Sequence, residues 1–127
     1  MELIPLKPAH VDVRGSIVDL ISDDEINAVT LITFTKGAVR ANHYHERTVQ
    51  RNYVISGQIL MVTQMPGCEK QQRLLSAGDY VVSRENERHA LKGVTEAEVL
   101  IITKGPRAGD KYENDTFRLT EPLIESD

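Results

Sequence analysis

Apolar residues along this chain recur at a spacing of two, and no segment sustains the 3.6-residue apolar period of an amphipathic helix. The pattern predicts strands joined by turns. The run Asn27 to Thr35 is β-branched and aromatic and reads as a buried strand, closed by Lys36-Gly37. A strand around His43 and His45 follows, then one through Tyr53-Val54-Ile55 that ends in a hairpin at Ser56-Gly57. Gln58 to Met65 is the next strand, and Glu69 to Leu75, more polar, reads as an edge. After a turn at Ser76 to Asp79 come Tyr80 to Ser83, Arg88 to Leu91 and the strong run Glu96 to Thr103. Gly105 to Asp110 breaks the chain again. Upstream, Asp12-Val13-Arg14-Gly15-Ser16 reads as a tight turn opening a strand over Ile17 to Ser22. Strands at roughly 8–12-residue spacing with Gly, Pro and Asn between them argue for an all-β sandwich or barrel.

The ends differ from the middle. Residues 1–13 carry Pro5 and Pro8 and read as an N-terminal arm. It either adds a strand to a neighbouring subunit's sheet or lies as surface coil, with His10 exposed. Residues 111–127 read as a polar C-terminal tail with a short strand at Thr116 to Leu119. A length of 127 residues fits one domain spanning 1–127.

Composition removes several function classes. Net charge is −4, from 15 basic and 19 acidic residues, and no basic run interleaves with aromatics, so no nucleic-acid partner is expected. No apolar run approaches the roughly 18–20 residues that span a bilayer, and the first residues lack a basic segment followed by an apolar one, so neither a membrane nor a signal peptide is expected. The one cysteine, Cys68, sits in the Pro66-Gly67-Cys68 turn and cannot make an internal disulfide, which fits a reducing, cytoplasmic compartment. A barrel with edge strands to cover, together with the arm, predicts a homodimer.

The candidate chemistry lies in Gly37 to Gly57. His43 and His45, two apart on a strand, share one face. Neutral imidazole is a good ligand for zinc, iron, nickel or copper. The other reading is an exposed polar edge. A third histidine, His89, follows the short strand Tyr80 to Ser83 and a charged turn.

These stretches resemble the double motif of the cupin superfamily. The first, G-x5-H-x-H-x4-E-x6-G, is matched in every spacing by Gly37, His43, His45, Gln50 and Gly57, with Gln50 in place of Glu. The second, G-x5-P-x-G-x2-H-x3-N, is matched by Gly78 and His89, with Arg84, Asn86 and Gly93 at the other positions. The resemblance implies a small double-sheet jelly roll in which His43, His45, Gln50 and His89 converge inside the barrel. Such a set suits a divalent transition metal (zinc, nickel or iron) held by three neutral imidazoles, with Gln50 adding a carbonyl oxygen but no charge. No organic cofactor is implied. A polar interior without metal is the other reading.

Other residues are placed by parity. Arg40, three before His43, faces the interior only if the strand begins or bulges after it, and serves as a rim cation or an anion clamp. Tyr44 and Tyr53 fall off the histidine face and belong to packing. Asn52 and Val54 share the face of Gln50.

Within cupins the chain is similar to the dTDP-sugar isomerases and epimerases, above all the small 3,4-ketoisomerases. Asp12, Arg14, Gly15 and Ser16 match their opening turn. Arg40, His43 and His45 match their Arg-Gly-x-His-x-His, with Ala41 in place of Gly. Gln50 and His89 also have counterparts. In that group the histidine pair is implicated in proton transfer beside a keto group, with no metal needed. The resemblance implies a small-molecule substrate and an isomerase or epimerase of a keto-sugar or sugar nucleotide, with His43, His45 and Arg40 catalytic. A metal-dependent oxygenase or lyase acting on a small chelating acid, and a non-catalytic small-ligand binder, are the competing functions.

Overall fold

The computed structural model describes residues 1–106 and 113–126. Arg107 to Asp110 of the break expected at Gly105 to Asp110, together with Lys111 and Tyr112, lie outside the described residues. Twelve strands are found among the described residues, and no helix: β1 (Glu2–Leu3), β2 (His10–Asp12), β3 (Gly15–Ile17), β4 (Ala28–Phe34), β5 (Val39–Tyr44), β6 (Val49–Ser56), β7 (Gln58–Gln64), β8 (Gln71–Ser76), β9 (Tyr80–Ser83), β10 (Arg88–Gly93), β11 (Ala97–Lys104) and β12 (Phe117–Arg118). With no helix among these residues, none is long and apolar enough to cross a membrane.

Two five-stranded sheets carry the fold, in the orders β1-β9-β6-β11-β4 and β12-β5-β10-β7-β8, and β2 and β3 form a separate hairpin. Every pairing among the described residues is antiparallel. This is the double-sheet cupin jelly roll that the motifs imply. Period-two placement builds its core. Gln50, Asn52 and Val54 of β6 are buried while their neighbours are not, and Ala97, Val99 and Ile101 of β11 face the same interior. Val54, Val81, Val99 and Ile101 from one sheet pack against Ile59, Met61, Leu75 and Leu91 from the other. Truncating any of the larger of these to Ala removes packing worth roughly 2–5 kcal/mol.

Four expectations need correction. The arm does not depend on a neighbouring subunit, since β1 pairs with β9 of its own sheet, Glu2 opposite Val82. The strand expected over Ile17 to Ser22 stops at Ile17, and residues 19–22 cross the outer face of the first sheet instead. The run from Asn27 is not buried throughout. It is a free edge beside β11, so only alternate residues face the core, and Val29 and Leu31 are 58% and 55% exposed. The tail carries the short strand expected at Thr116 to Leu119, as β12 paired with β5, but it is not a solvated segment throughout, since Asp115 and Ile124 are buried.

Backbone conformation explains two of the glycines. Gly57, which closes the first motif, has φ +78°, and a Cβ there would sit 2.1 Å from the Glu96 carbonyl oxygen and 2.8 Å from Ala97 Cα. Gly67 has a similar φ, +76°, but nothing within 4 Å. Gly67→Ala is therefore expected to cost about 1 kcal/mol from backbone conformation alone. Gly57→Ala adds a backbone clash and should cost more than about 3 kcal/mol. Urea denaturation of the two variants checks this, and equal midpoints would show that the close approach carries no weight.

Candidate functional site

Both sheets contribute to one polar cluster at the centre of the barrel. His89 on β10 lies directly opposite His43 on β5, and His45 follows the last residue of β5. Gln50 comes from the other sheet, on β6 between Ser83 and Thr103. The ring centroids are 4.8 Å apart for His43 and His45, 4.7 Å for His43 and His89, and 5.2 Å for His45 and His89. Their candidate ligand atoms all lie within 4.8 Å of one another. His45, His89 and Gln50 are buried, and His43 is half-buried and faces a cavity. The structure thus brings together all three histidines and the glutamine singled out in the sequence.

Hydrogen bonds fix which way each polar group points. Asn52 Nδ2 donates to the Val81 carbonyl at 3.0 Å and to Ser83 Oγ at 3.2 Å. A carbonyl can only accept, so Asn52 Oδ1 faces Gln50, whose Nε2 donates to it at 2.8 Å. Gln50 Oε1 is thereby turned to His45 Nε2, 3.2 Å away. At the other side His45 Nδ1 donates to the Asp115 carbonyl at 2.8 Å. In a neutral ring Nε2 then carries a lone pair, and two acceptors meet at 3.2 Å. The contact needs a positive centre, either a metal ion between the two atoms or a second proton on the ring. The spacing suits an ion, because adjacent donors with bonds of about 2.1 Å stand roughly 3–3.4 Å apart. His89 Nδ1 donates to the Glu87 carbonyl at 3.1 Å, which likewise leaves Nε2 as the lone-pair nitrogen. The donor set fits a divalent transition ion, with His43, His45, His89 and Gln50 as the residues able to hold it.

The backbone before His43 is strained. Ala41 and Asn42 have φ of +73° and +55°, a region that costs non-glycine residues of order 1–3 kcal/mol each. Together they form a β-bulge: the register against β10 jumps from His43–His89 to Ala41–Ala90, leaving Asn42 without a partner in the ladder. The bulge resets parity, so Arg40 opposite Leu91 returns to the face of His43. The bulge that an inward Arg40 needs is thus formed, and the side chain, itself exposed, stands at the rim of the cavity. Its guanidinium lies 5.5 Å from the Phe34 ring centroid and donates to the Thr33 carbonyl at 3.2 Å.

The C-terminal segment holds this bulge and the loop after it. Asn42 Oδ1 accepts from the Leu123 and Ile124 amides, and its Nδ2 donates to the Ile124 carbonyl. The Asp115 carboxylate accepts from the Glu46 and Arg47 amides at 3.1 and 2.8 Å and from the Thr48 hydroxyl at 2.8 Å. Burial alone would raise the pKa of Asp115, but these donors and the nearby His45 hold it below the ordinary value. Nothing in the local sequence marks Asp115 or Asn42, since their partners are far away in the chain: 70 residues separate Asp115 from His45, and 81 separate Asn42 from Leu123.

A cavity of about 150 Å³ opens beside the histidines. Ile32, Phe34, Leu91, Val99 and Ile101 form its apolar wall, with His43 and Gln50 at one side and Arg40, Glu113, Thr116 and Arg118 also lining it. Glu113 and Arg118 are ion-paired at 3.0 Å. The stretch 112–118 is similar in sequence to the tail of sugar-nucleotide enzymes, but sequence reasoning gave these tail residues no place in the site. Tyr44 and Tyr53 lie in packing, as their parity requires. Tyr44 stacks on Phe117 under the Arg88 guanidinium, and Tyr53 tilts against Tyr80. Cys68 is exposed in its turn.

Comparison with known proteins agrees with this architecture. The pectin degradation protein KdgF of Dickeya dadantii (strain 3937) is 33% identical over 89 residues, which are 70% of this chain and 74% of that protein. The TDP-quinovose 3,4-ketoisomerase WlaRB from Campylobacter jejuni superposes with a TM-score of 0.76 at 19% identity, over 93% of this chain and 92% of that one. A single-residue mutant of the 3,4-ketoisomerase QdtA from Thermoanaerobacterium thermosaccharolyticum, in complex with TDP-4-keto-6-deoxyglucose, superposes at 0.74 with 18% identity, over 92% and 86%. At such identities the two enzymes share the cupin fold with this chain. Residues 10–117 match the family model of the polysaccharide biosynthesis C-terminal domain, and with its cupin barrel the chain belongs to that family.

Proposed function

We propose that the protein is a metal-assisted isomerase of a small keto-sugar. The observation that carries this reading is the 3.2 Å approach of two acceptors, His45 Nε2 and Gln50 Oε1, inside a cluster of three imidazoles. His43, His45, His89 and Gln50 would hold the ion, which when bound supplies a Lewis acid for a carbonyl oxygen. The keto-sugar class is supported by the names of the similar proteins, which act in pectin degradation or on keto-sugars carried by TDP. Phe34 is the only aromatic side chain besides His43 among the described residues lining the cavity, so those residues offer a nucleotide base little to stack on, and this favours a sugar without one.

The chain's own groups divide the work. The apolar wall excludes water from the reacting carbon. Arg40 and Arg118, both lining the cavity, are placed to hold an anionic end of the substrate. Shifting a carbonyl along a sugar moves one proton from the hydroxyl-bearing carbon to the old carbonyl carbon, and a second from that hydroxyl to the old carbonyl oxygen. With His43 engaged as a ligand, the Glu113 carboxylate is the cavity group that accepts the proton from carbon. The second reading places a proton where the first places the ion. His45 is then an imidazolium that polarises the carbonyl oxygen, His43 is the base, and Arg40 binds the substrate. The same acceptor pair favours it. A homodimer belongs to both readings: β4 leaves Val29 and Leu31 exposed along a free edge. A cytoplasmic setting, from the single thiol of Cys68, belongs to both as well.

Three outcomes test this. After incubation with zinc or nickel at about pH 8, where imidazoles are deprotonated, and desalting, elemental analysis should find one ion per chain. His45→Ala should abolish loading, Gln50→Glu should tighten it, and Asp115→Asn should weaken it only indirectly, because it keeps the carbonyl that accepts from His45 and loses only an acceptor for the Arg47 amide and the Thr48 hydroxyl. Substoichiometric metal in the unaltered protein would move the assignment to proton transfer. Glu113→Gln should lower kcat by about 10²-fold or more with metal content unchanged if Glu113 is the base. A small effect there with a large one at His43 selects the second reading. Light scattering should give twice the chain mass, and a clean monomer at micromolar concentration removes the dimer.

A further inference from the structure

The C-terminal segment brings an ion pair to the barrel cavity. β12 pairs with β5 so that Arg118 stands opposite His43, and residues directly opposite across a ladder share a face. Arg118 therefore lies on the histidine side of the ladder and lines the cavity. A turn in which the Thr116 amide donates to the Glu113 carbonyl at 3.2 Å brings residue 113 back toward it. Arg118 Nη2 then donates to Glu113 Oε1 at 3.0 Å. The turn is anchored by Asp115, whose carboxylate is already taken by the Glu46 and Arg47 amides and the Thr48 hydroxyl.

The anchor is buried, but the pair is not. Asp115 is 1% exposed, whereas the side chains of Arg118 and Glu113 are 69% and 47% exposed. An ion pair so open to water contributes little, because solvent screens it and two long side chains lose freedom in forming it. Arg40, the other guanidinium lining the cavity, has no carboxylate partner among the described residues. It meets the Thr33 carbonyl at 3.2 Å and the Phe34 ring. Arg40, Arg118 and Glu113 are the charged side chains among the described residues lining the cavity, two cations against one anion. Both arginines line one cavity of about 150 Å³, which puts them within reach of one sugar-sized molecule. An oxyanion that reaches both makes charge-assisted hydrogen bonds to two guanidiniums, where Glu113 makes them to one.

We propose that Glu113 and Arg118 set specificity by exchange: the anionic end of the substrate displaces Glu113 from Arg118, and Glu113, released, serves the sugar as its base. The second half of this exchange rests on the isomerase reading; the first half is a matter of binding alone. A neutral sugar leaves Glu113 drawn to Arg118. An anionic group on the substrate is then a requirement for turnover and not merely an aid to affinity. A carboxylate and a phosphate monoester share this chemistry.

Isothermal titration of the full chain, with the metal content it has as isolated, tests the exchange with glucuronate, glucose 6-phosphate and glucose. The first two carry an anion at a carbon where glucose carries none. At least one of them should saturate the protein, about tenfold or more tighter than glucose, and the tighter one assigns the carboxylate or the phosphate class. Arg118→Gln should weaken that sugar about tenfold or more, as loss of a hydrogen bond to a charged group does. Glu113→Gln removes the competing charge and keeps the shape, so it should strengthen binding about three- to fivefold, the size expected for an exposed pair. The gain should vanish in the double variant, because Glu113 then has no guanidinium to compete for. Both side chains are exposed, so all three variants should keep the thermal midpoint of the unaltered protein. Binding by Glu113→Gln that is equal to or weaker than that of the unaltered protein would overturn the proposal. A gain that survives in the double variant would also overturn it, since Glu113 then repels anions without engaging Arg118. So would the failure of both anionic sugars to bind Glu113→Gln. Absence of isomerase activity alongside an intact exchange would remove the proposed function and leave the binding exchange standing.

Discussion

Two hydrogen-bond chains run toward each other inside this barrel and meet at the contact between His45 and Gln50. One starts at the Val81 carbonyl and passes through Asn52 to Gln50, and the other starts at the Asp115 carbonyl and passes through His45. Each begins at a group that can only accept, so neither can be reversed. Where they meet, a positive charge is required. The rest of the interior supports that requirement. Apolar residues from both sheets surround it, and in a low-dielectric interior the two facing lone pairs would otherwise be strongly unfavourable.

The bulge at Ala41 and Asn42 is the second organising feature. It permits a β-strand to present a cation and an imidazole on one face at an odd spacing, which a regular strand forbids. Its conformational cost is met by tertiary contacts, since the side chain of Asn42 is bonded at both ends to the backbone of residues 123 and 124. Asn86, also in the left-handed region at φ +67°, plays a similar part in the second motif. It stands where the pattern has glycine, and asparagine tolerates that conformation better than most residues. Its amide donates to the His45 carbonyl. Two departures from the expected motifs therefore preserve the backbone shape that the motif glycines serve.

The sandwich itself was legible because period-two burial is a local signal. β6 and β11 show it residue by residue, and the spacing of His43, His45 and Gln50 reports the same geometry. What the sequence did not disclose is non-local. Whether β4 is central or an edge depends on how many neighbours it finds, and its composition suits both. The pairing of β1 with β9 joins Glu2 to Val82, across more than half the chain. Asp115, Glu113 and Arg118 sit in a polar stretch that looks like any solvated tail, and only the closed fold brings them to the histidines. Arg40 was partly legible, because parity showed that a bulge was needed but not whether one formed.

The dependence of the centre on residues 113–124 ties ligation to chain closure. His45 and Asp115 are 70 positions apart, so the carbonyl that orients the ring arrives only after a long loop has closed. Whatever binds at the histidines binds the closed state alone and stabilises it by mass action. The converse also holds. The free energy that seats Asp115 and Ile124 is part of the affinity of the centre, so the far end of the chain contributes to selectivity for its occupant without touching it.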